Sequence, residues 1–344
     1  MLNRIKHIVG SSLNYIKKDI DNLENKCAIL IYHRVCEPDT DPQLLCVSPS
    51  NFDKQLSYFK KTHTVISLQK AIQHIEKNIA FPKKCVVITF DDGYVDNLQF
   101  ALPILEKHAI PATIFVTSGL VDNQLEYWWD ELERIFLIQT PFKNLELTIA
   151  GNQYSWDIKN ESDAKKAYTD LHPKLKHLSE IDRNTIIDNL FAWAGKSRYD
   201  IRETHRSLSS SEVKILSQSS VIEIGSHTVS HPCLSAETDD NQLQQIVQSK
   251  QQLTQLLNKE IKSFSYPFGG RKDFTSITKQ MVIDAGYNCG IANFTNLTNR
   301  KSDRFAIPRF LVRNWDLNTF EPFMKSLYTK KPGLFDTLKR KCKL

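Results

Sequence analysis

The sequence predicts an α/β protein built on a parallel sheet, and three observations carry that expectation. Short apolar runs alternate with amphipathic segments along most of the chain. The runs are apolar throughout rather than at every second residue, as in strands covered on both faces. Histidines and carboxylates fall directly behind several of them. Alternating βα units close either into an open doubly wound sheet or into a barrel, and both gather functional groups at the carboxyl ends of the strands.

In chain order, AILIY at 28–32 reads as the first strand, NFDKQLSYFKK and SLQKAIQHIEK as helices, and CVVITF at 85–90 as the next strand. YVDNLQFALPILEKH is expected to be helical despite Pro103, and ATIFVT at 112–117 returns to strand. Between about 120 and 205 the texture becomes polar, with Trp128, Trp129, Trp156 and Trp193 and a helical pattern in EIDRNTIIDNLFAWAG, which reads as an insertion. The alternation resumes with VIEIG at 221–225, a helix using Leu243, Ile246, Val247, Leu253, Leu256 and Leu257, then SFSY, NCGIA and FAIPRFLV.

The formal net charge is +6, and residues 325–344 alone hold seven Lys/Arg against one acid, Asp336, so the remainder is close to neutral. A nucleic-acid binder would spread its basic residues over the fold, so the expectation is no nucleic acid; the tail suits an anionic surface or is a solvated C-terminus. Residues 1–20 place Leu2, Ile5, Ile8, Val9, Leu13, Ile16 and Ile20 at helical spacing with lysines between. Such a helix either lies on a bilayer or packs against the protein's own body. The expected organisation is therefore an amphipathic N-terminal helix at 1–27, a main domain at 28–320 and a basic tail at 321–344. Seven cysteines with no CxxC pair, and no stretch near the roughly 18 apolar residues of a membrane span, point to a cytoplasmic protein, peripheral at the inner membrane face if its ends bind lipid.

Four segments follow predicted strands: YHRV with His33, TFDDG with Asp91 and Asp92, SHTVSHP with His227 and His231, and YPFGG with Pro267 and Phe268. Two histidines four apart would share one side of a helical turn, and with one carboxylate they make the three-ligand set of a catalytic divalent-metal site. Two adjacent buried acids are costly alone, but a cation on one lowers that cost and leaves the other ionised as a base. On spacing alone either Asp91 or Asp92 could be the ligand. Gly93 permits a tight turn behind them.

TFDDG, SHTVSHP and YPFGG together resemble the signature motifs of the polysaccharide deacetylase family, the NodB-homology carbohydrate esterases, over about 28–118 and 205–315. The resemblance implies a distorted (β/α)7 barrel, here with an inserted, mainly helical segment. It also implies Asp91 as catalytic base, Asp92, His227 and His231 as metal ligands with Zn2+ the usual ion, and the Phe268 N–H beside Pro267 at the oxyanion. Two departures stand out. Ser265 occupies the position where the family usually has an arginine that orients the base, for which Arg309 in IPRFLV is the candidate substitute or else a surface arginine. No histidine follows residue 231. His33 resembles the early histidine of a permuted subgroup that takes its general acid from the first strand; the alternative is a structural histidine.

The resemblance implies metal-dependent hydrolysis of an N-acetyl group on an amino sugar of a glycan, or of a lipid-linked intermediate of surface polysaccharide or lipopolysaccharide assembly. The competing readings are an amidohydrolase of a small N-acetylated or ureido metabolite and a catalytically silent glycan-binding module. Trp128 and Trp129 could face sugar rings or anchor the insertion.

Overall fold

The computed structural model describes residues 25–329 except 124 and 139; the proposed N-terminal helix up to residue 24 and the tail from 330 lie outside them. Seven strands form the barrel wall, all paired in parallel, in the spatial order Phe310–Leu311, Cys27–Tyr32, Cys85–Phe90, Ala112–Val116, Ile222–Ser226, Ser263–Ser265 and Cys289–Ile291. Thr64–Val65 adds a short strand beside Cys85–Phe90. A single parallel bridge, Ile291 to Ile307, brings the last strand round towards the segment leading into the first. Pro308 follows that bridge and lacks a backbone donor, so the ladder resumes only at Phe310. The distortion expected of the (β/α)7 barrel is this short, interrupted closing strand.

The strands are continuous apolar runs because both faces are covered: Cys27–Tyr32 and Cys85–Phe90 are buried at every position. Tyr32, Phe52 and Phe90 form an aromatic trio with ring centroids 5.2, 5.4 and 5.7 Å apart, locking the helix Pro49–Thr62 onto the sheet. That helix starts where Ser48 caps the Asn51 N–H and Pro49 supplies a preset φ at its first turn. Pro103 is accommodated because Asn97–Ala101 winds as a wider π-helical turn before the α-helix Leu102–His108.

The insertion has its own apolar core. Helices Trp128–Phe136, Glu161–Lys176 and Glu180–Ala194 bury Leu132, Ile135, Leu171, Ile187 and Leu190. An antiparallel hairpin, Asn144–Ile149 with Asn152–Asp157, packs beside them and was not foreseen. Its alternating burial carries only Leu145 and Ile149 as fully buried apolar residues, too weak a period to stand out in a polar stretch. Residues 321–327, assigned above to the tail, instead complete the helix Leu317–Leu327, whose Phe320, Phe323, Met324 and Leu327 are buried in the main core. An apolar face at helical spacing within the basic stretch accounts for the difference.

Helix Ser210–Gln218 begins in a capping box between Ser209 and Glu212, and Arg206 grips the Glu212 carboxylate at 2.7 and 2.9 Å. Arg206, despite some burial, holds the Glu212 carboxyl down from 4.5 to about 2. A lowered carboxyl stabilises the fold above its unfolded value and loses that contribution as pH falls. Acid titration of stability should therefore show a loss between pH 4.5 and about 2 that Glu212→Gln removes. At this partly exposed site it is worth about 1 kcal/mol or less. Identical acid limbs in the two proteins, followed by circular dichroism, would count against the pairing.

Candidate active site

Asp91 and Asp92 leave the end of strand Cys85–Phe90 in different directions because the chain turns sharply between them. The Asp91 N–H still donates to the Tyr32 carbonyl at 3.0 Å, extending the ladder. Asp92 then adopts φ +77° and Gly93 φ +81°, left-handed conformations that aspartate tolerates and glycine favours. A Cβ on Gly93 would also crowd Val116 at 3.3 Å. Asp91 consequently faces the barrel axis and Arg309, while Asp92 faces the histidines.

Arg309 is 1% exposed and grips Asp91 with both terminal nitrogens, Nη1 to Oδ1 at 2.7 Å and Nη2 to Oδ2 at 2.6 Å. Its Nε donates to the Ala292 carbonyl at 2.9 Å, and Nη1 also to Thr89 Oγ1 at 3.2 Å. Ser265, at the position expected to hold an arginine, donates its hydroxyl to Asp91 at 3.1 Å and accepts from Arg309 at 3.0 Å. The surface-arginine alternative is thus excluded. Burial works against the charge on Asp91, but Arg309 and then His227 outweigh it and hold the carboxyl well below the usual carboxylate range.

His227 and His231 do not share a helical turn. His227 follows strand Ile222–Ser226, and the loop after it returns through Thr228 at φ +66° and His231 at φ +57°. Backbone donors that a helix would have satisfied are taken by side chains: Val229 and Ser230 donate to Gln245 Oε1, and His231 to Thr228 Oγ1 at 3.0 Å. Four-residue spacing suited either geometry; left-handed positions decided for the loop. The His227 Nδ1 lies 2.7 Å from the Ser265 carbonyl, which fixes Nδ1 as donor and leaves the Nε2 lone pair free.

Asp92 Oδ1 lies 3.5 Å from His227 Nε2 and 3.4 Å from His231 Nε2. These separations are long for hydrogen bonds. Donors held about 2.0–2.2 Å from one tetrahedral ion stand about 3.3–3.6 Å apart, so the trio fits a divalent cation such as zinc. All three are buried, and their ligand atoms lie within 4.8 Å of one another. Burial opposes the charge on Asp92, yet His227 and His231 hold its carboxyl low, while burial and His227 push the His231 imidazole down to about 3. Both effects favour the deprotonated forms that bind metals.

His33 lines the same cleft, of about 240 Å³, as Asp91, Asp92, His227 and His231. Its Nδ1 is buried without a hydrogen-bond partner among the described residues, and burial outweighs Asp92 and Asp91 to lower its pKa. The chain around it is clamped by two neighbours of the acid pair. Asn97 donates to the His33 carbonyl at 2.8 Å, and Asp96 binds the Val35 N–H at 2.9 Å and Arg34 Nε at 2.8 Å.

Phe268 forms the opposite wall, its ring edge-on to His231 at 4.8 Å. Its φ is +59°, and the Gly269 N–H donates to the Pro267 carbonyl at 2.6 Å, closing a tight turn. Among the described residues no hydrogen bond uses the Phe268 N–H. Trp129 packs edge-on to His231 at 4.8 Å and donates Nε1 to the Tyr94 hydroxyl at 2.9 Å. Trp128 and Trp129 are both 5% exposed, so they anchor the insertion, with Trp129 also facing the cleft.

The structure adds cleft residues that the motifs did not reveal: Gln43, His172, Lys176, Asn293 and Arg313. Each lies outside the motifs, and only the closing of the barrel and the docking of the insertion bring them there. A second buried acidic group, Asp130 and Glu133 with His205, is matched by Tyr94, Thr40 and Arg202 and serves the packing of the insertion. Among the described residues no helix is long and apolar enough to cross a membrane.

Comparison with known proteins bears on the family and the fold. The family model described as polysaccharide deacetylase matches residues 78–290. YxkH of Bacillus subtilis is 33% identical over 100 residues, 29% of this chain and 34% of that protein. A poly-beta-1,6-N-acetyl-D-glucosamine N-deacetylase of Staphylococcus aureus is 28% identical over 130 residues, 34% of this chain and 45% of the relative. The match thus spans less than half the length of these relatives. Among solved structures, IcaB from Ammonifex degensii superposes with a TM-score of 0.57 at 17% identity, covering 89% of this chain and 98% of its own. The Streptococcus pyogenes deacetylase PplD in complex with acetate gives 0.55 at 20% identity, covering 84% and 93%. These likenesses speak for the fold.

Proposed function

Because this chain belongs to the polysaccharide deacetylase family, we propose that it is a metal-dependent N-deacetylase, removing the acetyl group from an N-acetylated amino sugar of a glycan. One observation carries the reading: a carboxylate gripped by a buried arginine stands beside a separate trio of side chains grouped as a metal's ligands would be, in one cleft. A zinc or similar divalent ion held by Asp92, His227 and His231 would supply Lewis acidity and acidify a bound water.

The chain's own residues do the rest. Asp91, fixed by Arg309 and Ser265, accepts a proton from the attacking water. As a weak base it remains ionised at neutral pH. The Phe268 N–H donates to the oxyanion of the tetrahedral intermediate, a contribution of about 3 kcal/mol for a well-placed donor. His33, protonated from solvent before each turnover, gives that proton to the departing amine; burial lowers its pKa, so the imidazolium is the more acidic donor but the less populated resting form. Acetate and the amino sugar leave.

The test is acetate release from N-acetylglucosamine oligosaccharides by zinc-loaded protein, with and without chelator. Release abolished by chelator and restored by zinc is expected; equal release in both would sink metal dependence, and none from any acetamido sugar would sink the deacetylase reading. For His33→Ala, turnover is expected to fall about a hundredfold or more with bound metal unchanged. Near-normal turnover would return His33 to a structural role and remove the support for an early-histidine subgroup. The lipid-linked form of the substrate, at the inner membrane face, is supported by the basic residues of 325–344. Cosedimentation with anionic vesicles at low salt checks it, and no binding there would count against it.

A further inference from the structure

The cleft holds a positive charge that hydrolysis does not use. Arg313 lies four residues beyond Arg309, just past the closing strand, and its backbone is pinned on both sides. The Val312 N–H donates to the Ile31 carbonyl at 3.0 Å, and the Trp315 N–H to the Arg313 carbonyl at 2.6 Å. Its Nη1 donates to the carbonyls of Gln43, at 3.0 Å, and Leu44. Its Nε is buried and has no acceptor; Asp41 is the acid whose charge acts on the guanidinium, but among the described residues no carboxylate lies within ion-pair distance of it.

Arg309, behind the cleft, is matched by Asp91, and the two arginines named outside it, Arg34 and Arg202, by Asp96 and Glu126. Lys176, another cation lining the cleft, is neutralised by Asp273 at 2.8 Å. Of the two cations that line the cleft among the described residues, Arg313 is the one without a carboxylate within ion-pair distance. A sugar hydroxyl would satisfy one donor but not the charge. An anionic oxygen cluster would do both, and guanidinium suits phosphate and carboxylate alike through paired N–H donors.

We propose that Arg313 binds an anionic group of the substrate, a phosphate or a carboxylate close to the acetamido sugar, so that this cleft takes an acidic N-acetylated glycan rather than a neutral homopolymer. The proposal rests on the deacetylase reading above and deepens it. Lys176, tied to Asp273, has no such role.

Three probes separate the possibilities with zinc-loaded protein: N-acetylglucosamine 1-phosphate, a hyaluronan tetrasaccharide carrying carboxylates, and a neutral β-1,6-linked N-acetylglucosamine oligomer. At least one acidic probe is expected to show kcat/KM about tenfold or more above the neutral one, carried by KM, as one charge-assisted contact supplies. Which acidic probe gains identifies phosphate or carboxylate as the group. Arg313→Gln should bring that preference close to one, and Arg313→Lys, which keeps the charge, should restore part of it. Equal kcat/KM for all three probes, or an equal fall on all three in Arg313→Gln with unchanged Tm, would overturn the proposal. If the wild-type protein turns over none of them, the deacetylase reading fails separately, and equilibrium binding decides the anion question. N-acetylglucosamine 1-phosphate or the hyaluronan tetrasaccharide should still bind the wild type about tenfold or more tighter than Arg313→Gln, and equal binding of both acidic probes to the two proteins would end the proposal.

Discussion

Asp91→Asn is expected to lower kcat by two to four orders of magnitude, about the range that general base catalysis supplies, while the protein still binds its metal. The expectation follows from the division of labour between the two acids. Asp92 stands 3.4–3.5 Å from the histidine nitrogens, whereas Asp91 is turned to Arg309 and Ser265. Asparagine keeps the size of the side chain and one acceptor for Arg309, but it cannot take a proton. The same change leaves a buried guanidinium without its counter-charge, so a stability loss of about 3–5 kcal/mol accompanies it. Metal content of the folded variant and turnover at saturating substrate separate the two effects. A variant that lost its metal would make Asp91 a ligand; one with unchanged kcat would remove it from the chemistry.

Much of this was legible in the sequence because parallel strands advertise themselves as short, wholly apolar runs, and each functional motif sits directly behind one. Cys85–Phe90 points to Asp91 and Asp92 in the simplest way, by ending. The spacing of His227 and His231 revealed their partnership but not their geometry: a helical turn and a left-handed loop both bring residues four apart together. Only the positive φ of Thr228 and His231 separates them, and within SHTVSHP the one hint is Pro232, which disfavours a helical conformation at His231. The hairpin of the insertion stayed hidden because only Leu145 and Ile149 mark its buried face. Cleft residues such as Arg313 and His172 carry no motif at all. Their placement comes from tertiary closure between segments more than 100 residues apart, which local periodicity cannot express.

Ser265 shows how a departure from a pattern can be compensated. A serine is too short to neutralise Asp91, and its hydroxyl adds only one hydrogen bond at 3.1 Å. The charge is supplied instead from the closing strand, where Arg309 reaches the carboxylate and is steadied by Ala292 and Thr89. The guanidinium is therefore not interchangeable with any other cation here, since both of its terminal nitrogens and its Nε have fixed acceptors.

Arg309→Met is accordingly expected to be the most damaging single change outside the metal ligands. It removes a buried cation and leaves the Asp91 carboxylate buried with Ser265 at 3.1 Å and His227 Nε2 at 3.8 Å as its remaining close partners, at a cost of about 3–5 kcal/mol. Burial, no longer opposed by the guanidinium, would then raise the Asp91 carboxyl. The sign for catalysis follows: the base works only when ionised, so the acid limb of the kcat profile should move to higher pH in the variant. In the wild type Arg309 holds that limb, the ionisation of Asp91, well below the usual carboxylate range. Arg309→Lys restores one charge without the fork and should fall between the two in both Tm and pH profile. If Arg309→Met lowered Tm but left the acid limb where it was, Arg309 would be a packing residue, and the ionisation of Asp91 would owe its stability to the metal site instead.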